Sequence, residues 1–322
     1  MGTMDRRKFL GSMAFLGMQG AILKAAPFGK WEAIPADKAR RKKKKGGTDD
    51  NLVVFISDLH IHPDGYQPEK LRRTIADILA MDPKPRNVIA LGDLAYAIGK
   101  PEDYALLKEI VAPLETAGIH LTMAMGNHDR RKRFAEAFPE MAAATHVKDR
   151  FVFVVETPRA DFILLDSLQE DPDPEKGIVE GALNDAQKQW LADKLSSYTD
   201  KPVFVSSHHP IEETGISGIL VSSPTCSGYL FGHRHIWLDA WMMKNYAEQT
   251  LIRTLCIPST GHWGDIGYTV FRLEEDHAEA RFHEYEFFFP KPLAEGEEKP
   301  AQWTMIEREH GDSECMFAYR KA

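Results

Sequence analysis

Five short polar islands interrupt the apolar runs of this 322-residue chain: Asp58-Leu59-His60, Gly92-Asp93, Gly126-Asn127-His128-Asp129, His208-His209-Pro210 and Gly232-His233-Arg234-His235. Each stands where a run of apolar residues stops, so each reads as a strand end or the loop just after it. Carboxylate, amide and imidazole groups delivered to strand ends must meet at one sheet edge, and this constrains the fold more than any other feature. Oxygen and imidazole donors gathered in that way are what holds two divalent metals side by side in a hydrolytic site.

The segments between the islands agree. Leu52-Val53-Val54-Phe55-Ile56 is continuously apolar, as a strand covered on both faces is. Leu71, Ile75, Ile78 and Leu79 repeat at helical spacing, and Asn87 to Leu91 reads as the next strand. Leu106, Leu107, Ile110, Val111 and Leu114 form a second helical stripe, which Pro113 is expected to end or kink. Ile119 to Met125 is again strand-like. Strand, helix, strand, helix, strand implies parallel pairing through crossover helices, and such sheets bind ligands beyond the C-terminal ends of their strands. Further along, Arg150–Glu156 and Asp161–Asp166 read as a strand pair, and Leu183, Gln187, Trp190, Leu191 and Leu195 as an amphipathic helix. Strands lead into His208 and His233, one ends near Ile257, and Thr269–Leu273 and Ala280–Phe288 follow, with Glu275-Asp276-His277 as a turn. Two sheets, each delivering loops to one shared edge, account for this order.

The N-terminus reads differently. Arg6-Arg7-Lys8 precedes an apolar stretch from Phe9 to Leu23, shorter than the about 20 residues a spanning helix needs, and Ala25-Ala26-Pro27 offers small residues for cleavage. The pattern resembles a bacterial twin-arginine signal over residues 1–26, which implies export to the periplasm or envelope of a bacterium. Lys24 departs from that pattern and leaves an uncleaved anchor as the alternative. Residues 27–50 read as a basic linker, since Arg40-Arg41-Lys42-Lys43-Lys44-Lys45 is a like-charge block that cannot pack. A solvated tether is the favoured reading; peripheral contact with an anionic membrane or envelope surface is the other. The net charge of -8 argues against nonspecific nucleic-acid binding, which wants a basic face. Three cysteines are too few for a disulfide framework, and Cys226 and Cys256 are expected to act as small buried apolar residues.

Asp-x-His, Gly-Asp, Gly-Asn-His-Asp, His-x-Pro and Gly-His-x-His, in this order, resemble the calcineurin-like metallophosphoesterase family over about residues 51–290. That resemblance implies an α/β fold, a two-sheet α/β/β/α sandwich with the metal site at the C-terminal strand edge, and leaves 291–322 as a polar C-terminal extension of unassigned role. It also implies a site. Asp58, His60 and His235 would hold one metal, Asn127, His208 and His233 a second, and Asp93 would bridge them, with a bridging hydroxide as nucleophile. His128 would give a proton to the leaving oxygen, and Asp129 would orient the His128 ring by a hydrogen bond. The donor set suits two divalent ions drawn from Mn, Fe or Zn.

Several residues carry two readings at this stage. Taken singly, Asp58 after a strand is more often a turn residue, and His128 a surface or core histidine. His209 lines a pocket or packs. Tyr96 resembles the tyrosine of purple acid phosphatases, but His60 stands where those enzymes lack a histidine, so packing or a substrate edge is expected. Either Arg130 or Arg131 reaches a substrate phosphate, or the pair lies on the surface. Gly261-His262-Trp263 borders the pocket or packs. Gly181-Ala182-Leu183, Gln187 and Trp190-Leu191 are similar to a helix of bacterial cyclic-nucleotide phosphodiesterases of the family. The expectation is an exported hydrolase of small phosphodiesters or phosphomonoesters. A non-catalytic metal-binding scaffold or surface binding module is the alternative, and retention of His128 and Asp93 speaks against it.

Overall fold

A computed structural model of the chain describes residues 47–243, 251–288, 304–308 and 314–320. The signal segment and most of the basic linker lie outside these residues. Two sheets form the centre. The first contains β1 (Thr48–Ile56), β2 (Lys84–Leu91), β3 (His120–Ala124), β10 (Gly267–Leu273), β11 (His277–Phe288), β12 (Thr304–Arg308) and β13 (Glu314–Ala318). Its order is β12-β11-β10-β1-β2-β3, and β13 pairs with β11 as well. The second runs β4 (Phe153–Glu156), β5 (Asp161–Leu164), β6 (Val203–Ser206), β7 (Cys226–Phe231), β9 (Leu251–Cys256) and β8 (Leu238–Met243).

The apolar pattern dictates the pairing. β1, β2 and β3 are parallel neighbours, as are β5, β6, β7 and β9. Parallel strands need crossovers, and α1 (Gln67–Ala80) and α2 (Pro101–Thr116) supply them in the first sheet. α1 buries Leu71, Ile75 and Ile78, and α2 buries Leu107, Ile110, Val111 and Leu114. α5 (Asp185–Ser196) covers the second sheet through Leu191 and Leu195, after α3 (Arg131–Ala137) and α4 (Pro139–Ala144) have closed the loop that follows β3. Two short helices, α6 (Ile211–Thr214) and α7 (Ser217–Ser222), follow β6. Period-two alternation divides β6 between two cores: Phe204 faces the first sheet, while Val203 and Val205 join the cluster containing Leu191 and Leu195.

A phenylalanine cluster joins the sheets. Phe55 of β1 lies 5.4 Å from Phe162 of β5 and 4.9 Å from Phe271 of β10, and Phe162 stacks on Phe204 at 5.3 Å. Edge and tilted geometries at these separations are those aromatic pairs prefer. Phe317 of β13 completes it, 5.4 Å from Phe204 and 5.6 Å from Phe271.

Four features differ from the sequence reading. β1 begins inside the stretch assigned to the linker, because Thr48 and Asp49 pair with Lys84 and Pro85 of β2. Residues 304–308 and 314–318, counted with a C-terminal extension, are strands of the first sheet, and Phe317 is its tether, only 1% exposed. α2 runs past Pro113 to Thr116, since a proline this near a C-terminus removes one hydrogen bond and the helix then ends at Ala117, just before Gly118. His277 opens β11 instead of standing in the turn before it. All three cysteines are buried and free.

Phe317→Ala is expected to lower unfolding free energy by about 3–5 kcal/mol, the usual range for emptying a buried aromatic site. Chemical denaturation measures this, and an unchanged midpoint would show that β13 contributes nothing to the inter-sheet core.

Candidate metal centre

The five islands sit just beyond the C-terminal ends of five parallel strands: β1, β2 and β3 of the first sheet and β6 and β7 of the second. The loops leaving β1 and β2 continue side by side, with Asp58 N donating to Gly92 O at 3.1 Å and His60 N to Asp93 O at 2.8 Å. Gly232 N donates to His208 O at 2.9 Å and joins the loops after β6 and β7 in the same way.

Local backbone conformation turns the side chains inward. Asp58, His60, Asp93, His233 and His235 have φ of 52°, 46°, 47°, 68° and 55°. The left-handed region is uncommon for residues with a Cβ, and such conformations cost about 1–3 kcal/mol each, so the surrounding contacts must hold them. In the D-x-H and H-x-H spacings both outer residues adopt it, so residues two apart both turn toward the centre, Asp58 and His60 to one donor group and His233 and His235 to two. Two glycines among the islands make close approaches that a side chain would obstruct. A Cβ on Gly126 would stand 2.2 Å from Asp93 N and 2.3 Å from its Oδ1, and one on Gly232 would stand 2.0 Å from Ser57 Oγ.

Asp58, His60, Asp93 and His235 form one group, with ligand-type atoms within 4.8 Å of one another. His235 Nε2 is 3.1 Å from Asp58 Oδ1, and His60 Nε2 is 3.5 Å from Asp93 Oδ2. Asn127, His208 and His233 form the second: Asn127 Oδ1 lies 3.1 Å from His208 Nε2 and 3.0 Å from His233 Nδ1. Asp93 stands between the groups, its Oδ2 3.3 Å from His208 Nε2. The structure therefore brings together all seven residues named from the sequence.

The outward contacts decide which nitrogens face in. A carbonyl oxygen can only accept, so His208 Nδ1 donates to Leu91 O at 2.7 Å and His235 Nδ1 to Trp263 O at 3.1 Å. Each Nε2 then turns toward the carboxylates, the arrangement in which a second hydrogen bond orients a ligating histidine. Ser57 Oγ donates to Asp58 Oδ2 at 2.6 Å, and His233 N reaches both Asp58 oxygens at 3.1 Å. These donors fit divalent cations in number, type and orientation.

Charge follows the same pattern. Burial would raise the Asp93 carboxyl, but His208, His60 and His128 hold it well below the usual range. Asp58 is lowered too, burial being outweighed by the His235 hydrogen bond and by His208. Burial takes His60 down to about 3 and His233 to about 4, so both rings are neutral and carry a lone pair. His208 is the exception. Burial opposes its charge, yet Asp93 raises it to about 9, and a metal binding at Nε2 would displace that proton.

His209 lies beside the second group, its ring 4.8 Å from that of His208 and 4.9 Å from that of His233, but its nitrogens are engaged elsewhere. Its Nε2 donates to Val179 O at 3.0 Å, so Nδ1 accepts from Ser167 Oγ at 2.8 Å, and neither nitrogen is left for a metal. Burial, then the neighbouring His208 and His233, hold it neutral, at about 2.

His128 keeps a place at the centre. Its Nδ1 donates to Ala97 O at 2.7 Å, and its Nε2 lies 3.9 Å from Asp93 Oδ2. The expected hydrogen bond from the His128 ring to Asp129 is not made. Asp129 is turned into the core, where it accepts from Leu94 N, Ala95 N, Gly126 N and Tyr104 Oη at 3.2, 3.2, 2.8 and 3.1 Å. Those donors fold the loop after β3 over the loop after β2, and Ala97 takes the role expected of Asp129. Burial and the nearby Asp93 raise the Asp129 carboxyl to about 7.

Neither arginine after this island reaches the centre. Arg131 makes a two-point contact with Asp166 at 2.7 and 2.8 Å and a further one with Glu170 at 2.8 Å. Arg130 is buried, donating to the carbonyls of Asp129, Pro174 and Lys176. Together they clamp the segment after β5. Residues 262 and 263, by contrast, border the site: the His262 ring lies 4.3 Å from that of His60, and the Trp263 ring 4.5 Å from that of His235. No periodicity marks that loop; its glycine and aromatic composition is the one signal in the sequence.

Asp93→Asn is expected to cut bound metal from two ions per chain to fewer than one, because the amide loses the charge that serves both groups. Elemental analysis after metal loading measures this; two ions retained would refute the assignment of Asp93 as the shared ligand.

A family model described as calcineurin-like phosphoesterase matches residues 52–237, more than half of the chain. The chain is 29% identical over 167 residues to a probable cyclic nucleotide phosphodiesterase of Rhodococcus erythropolis, covering 50% of this chain and 52% of that protein. It is 32% identical over 170 residues to another of that name from Rhodopseudomonas palustris, covering 51% and 58%. The chain thus spans about half the length of the curated relatives it matches. Its fold is similar to that of a dimetal phosphatase from Danio rerio, with a TM-score of 0.57 at 14% identity over 72% of this chain and 95% of that one. That likeness is one of fold alone.

Proposed function

The chain belongs to the calcineurin-like phosphoesterase family, which uses a dinuclear divalent metal site, and from that premise we propose that it hydrolyses small phosphodiesters. The observation that carries the reading is the meeting of two donor groups at one carboxylate, Asp93, at the C-terminal strand edge. Asp58, His60 and His235 would hold one ion, Asn127, His208 and His233 the other, and Asp93 both. Bound there, the metals supply the Lewis-acid charge that activates water and offsets the charge building on the phosphoryl oxygens.

The chain's own residues do the rest. With Nδ1–H donated to Ala97 O, the proton of His128 that can move is the one at Nε2, which faces the centre. Donation from that atom to the departing oxygen is general-acid catalysis. Preference for a diester is supported by the arginines. A monoester carries a second negative charge, and Arg130 and Arg131, which follow the catalytic island, are committed to internal partners. The names of the two bacterial relatives point to the same class.

Export is a separate proposal. It is supported by the paired arginines, short apolar stretch and small residues of segment 1–26.

The test is hydrolysis of bis(p-nitrophenyl) phosphate and p-nitrophenyl phosphate by protein loaded with Mn, Fe or Zn. Faster diester turnover, abolished by a chelator, is expected; absence of turnover on both would overturn the reading, and a monoester preference would overturn the diester assignment. His128→Ala should slow the chemical step about 10²–10⁴-fold with metal content unchanged. Loss of metal in that variant would make His128 a ligand instead.

A further inference from the structure

Exposed large apolar side chains are scarce among the described residues: Tyr96 at 39%, Val179 at 58%, Trp263 at 62% and Met316 at 38%. Three of the four border the candidate metal centre. Val179 lies on the His209 side, its carbonyl accepting from His209 Nε2. Tyr96 and Trp263 lie on the side of the first donor group. The Tyr96 ring is 6.4 Å from that of His60, and the Trp263 ring 4.5 Å from that of His235. The His262 ring stands between them, 5.9 Å from Tyr96 and 5.6 Å from His235.

Trp263 is exposed on a firmly held loop. Its carbonyl accepts from His235 Nδ1, and Lys70 Nζ donates to the neighbouring His262 O at 3.0 Å. A Cβ at Gly261 would stand 1.9 Å from Leu59 O, and one at Gly264 would stand 2.0 Å from His235 O. The main chain on both sides is thus wedged against the strand-end loops, while the indole, set beside the His235 ring, stays largely exposed. A large ring left uncovered on a rigid segment, beside a site built for charged oxygens, has the features of a stacking platform.

We propose that Trp263 is a specificity-determining residue that stacks on a planar heterocyclic group, such as a nucleobase, attached through its sugar to the substrate phosphate. The assignment rests on the phosphodiester reading above. It accounts for an aromatic face next to the donors that would receive the phosphate, and it divides recognition between the two: the donor groups hold the charge, and Trp263 selects the organic part.

The test reads binding, so it does not depend on turnover. Calorimetry on Mn-loaded full-length protein would compare adenosine 5′-monophosphate with ribose 5-phosphate, which shares the sugar and phosphate and lacks the base. Base–aromatic stacking commonly contributes a factor of about 5–150 in affinity, so wild type should favour the nucleotide by that margin. In Trp263→Ala the preference should collapse toward unity, and Trp263→Phe should restore most of it. The alanine variant keeps the backbone carbonyl that holds His235, and metal content measured in parallel checks that contact. Equal affinities in wild type, no binding of either compound, or a preference that survives in Trp263→Ala would each overturn the proposal. A diesterase that shows no base preference would leave the phosphodiester reading intact. Base-dependent binding without diester turnover would do the reverse.

Discussion

The rest of the structure depends on the convergence of two sheets on the Asp93 carboxylate. The loops after β1, β2 and β3 come from one sheet and those after β6 and β7 from the other, and Asp93 Oδ2 lies within 3.5 Å of a histidine nitrogen from each sheet. Opposite charges buried together attract strongly, but only when geometry is held closely enough to repay desolvation. The phenylalanine cluster between the sheets supplies that rigidity. Phe55, Phe271, Phe162 and Phe204 set the separation of β1 and β10 from β5 and β6, and so the separation of the strand ends that carry the donors.

Five of the seven donor residues sit in left-handed backbone conformations. Such strain persists only where neighbours over-determine the chain. Here the loops are tied by backbone hydrogen bonds to one another, and Gly126 and Gly232 let Asp93 and Asp58 approach main chain that a Cβ would obstruct. Orientation is added from outside. Leu91 O and Trp263 O fix the tautomers of His208 and His235, and Ala97 O that of His128, so backbone carbonyls do the work often given to carboxylates in such sites.

The departures at the end of the third island and just after it share one cause. Asp129, expected beside His128, is drawn inward because three amides and a tyrosine hydroxyl offer it more than one imidazole could. Arg131 finds Asp166 and Glu170, and Arg130 finds carbonyls of the loop after β5. Each side chain went to the largest available set of partners. Those partners lie 20 or more residues away in most cases, where no local pattern reports them.

By itself the sequence determined which residues meet and on what kind of scaffold. Unbroken apolar runs specify strands buried on both faces, the helical stripes between them specify parallel crossovers, and parallel strands deliver their ends to one edge. Donor types at those ends follow directly, which is why Asp58, His60, Asp93, Asn127, His208, His233 and His235 were legible. Only the tertiary structure decided direction and partner. It turned His208 inward and His209 toward Ser167, closed the first sheet with β12 and β13 through Phe317, and set Trp263 beside His235. The physical reason is range. Strand and helix formation obey periodicities within a few residues, whereas tautomer, side-chain direction and exposure depend on groups that only folding brings within about 3 Å of one another.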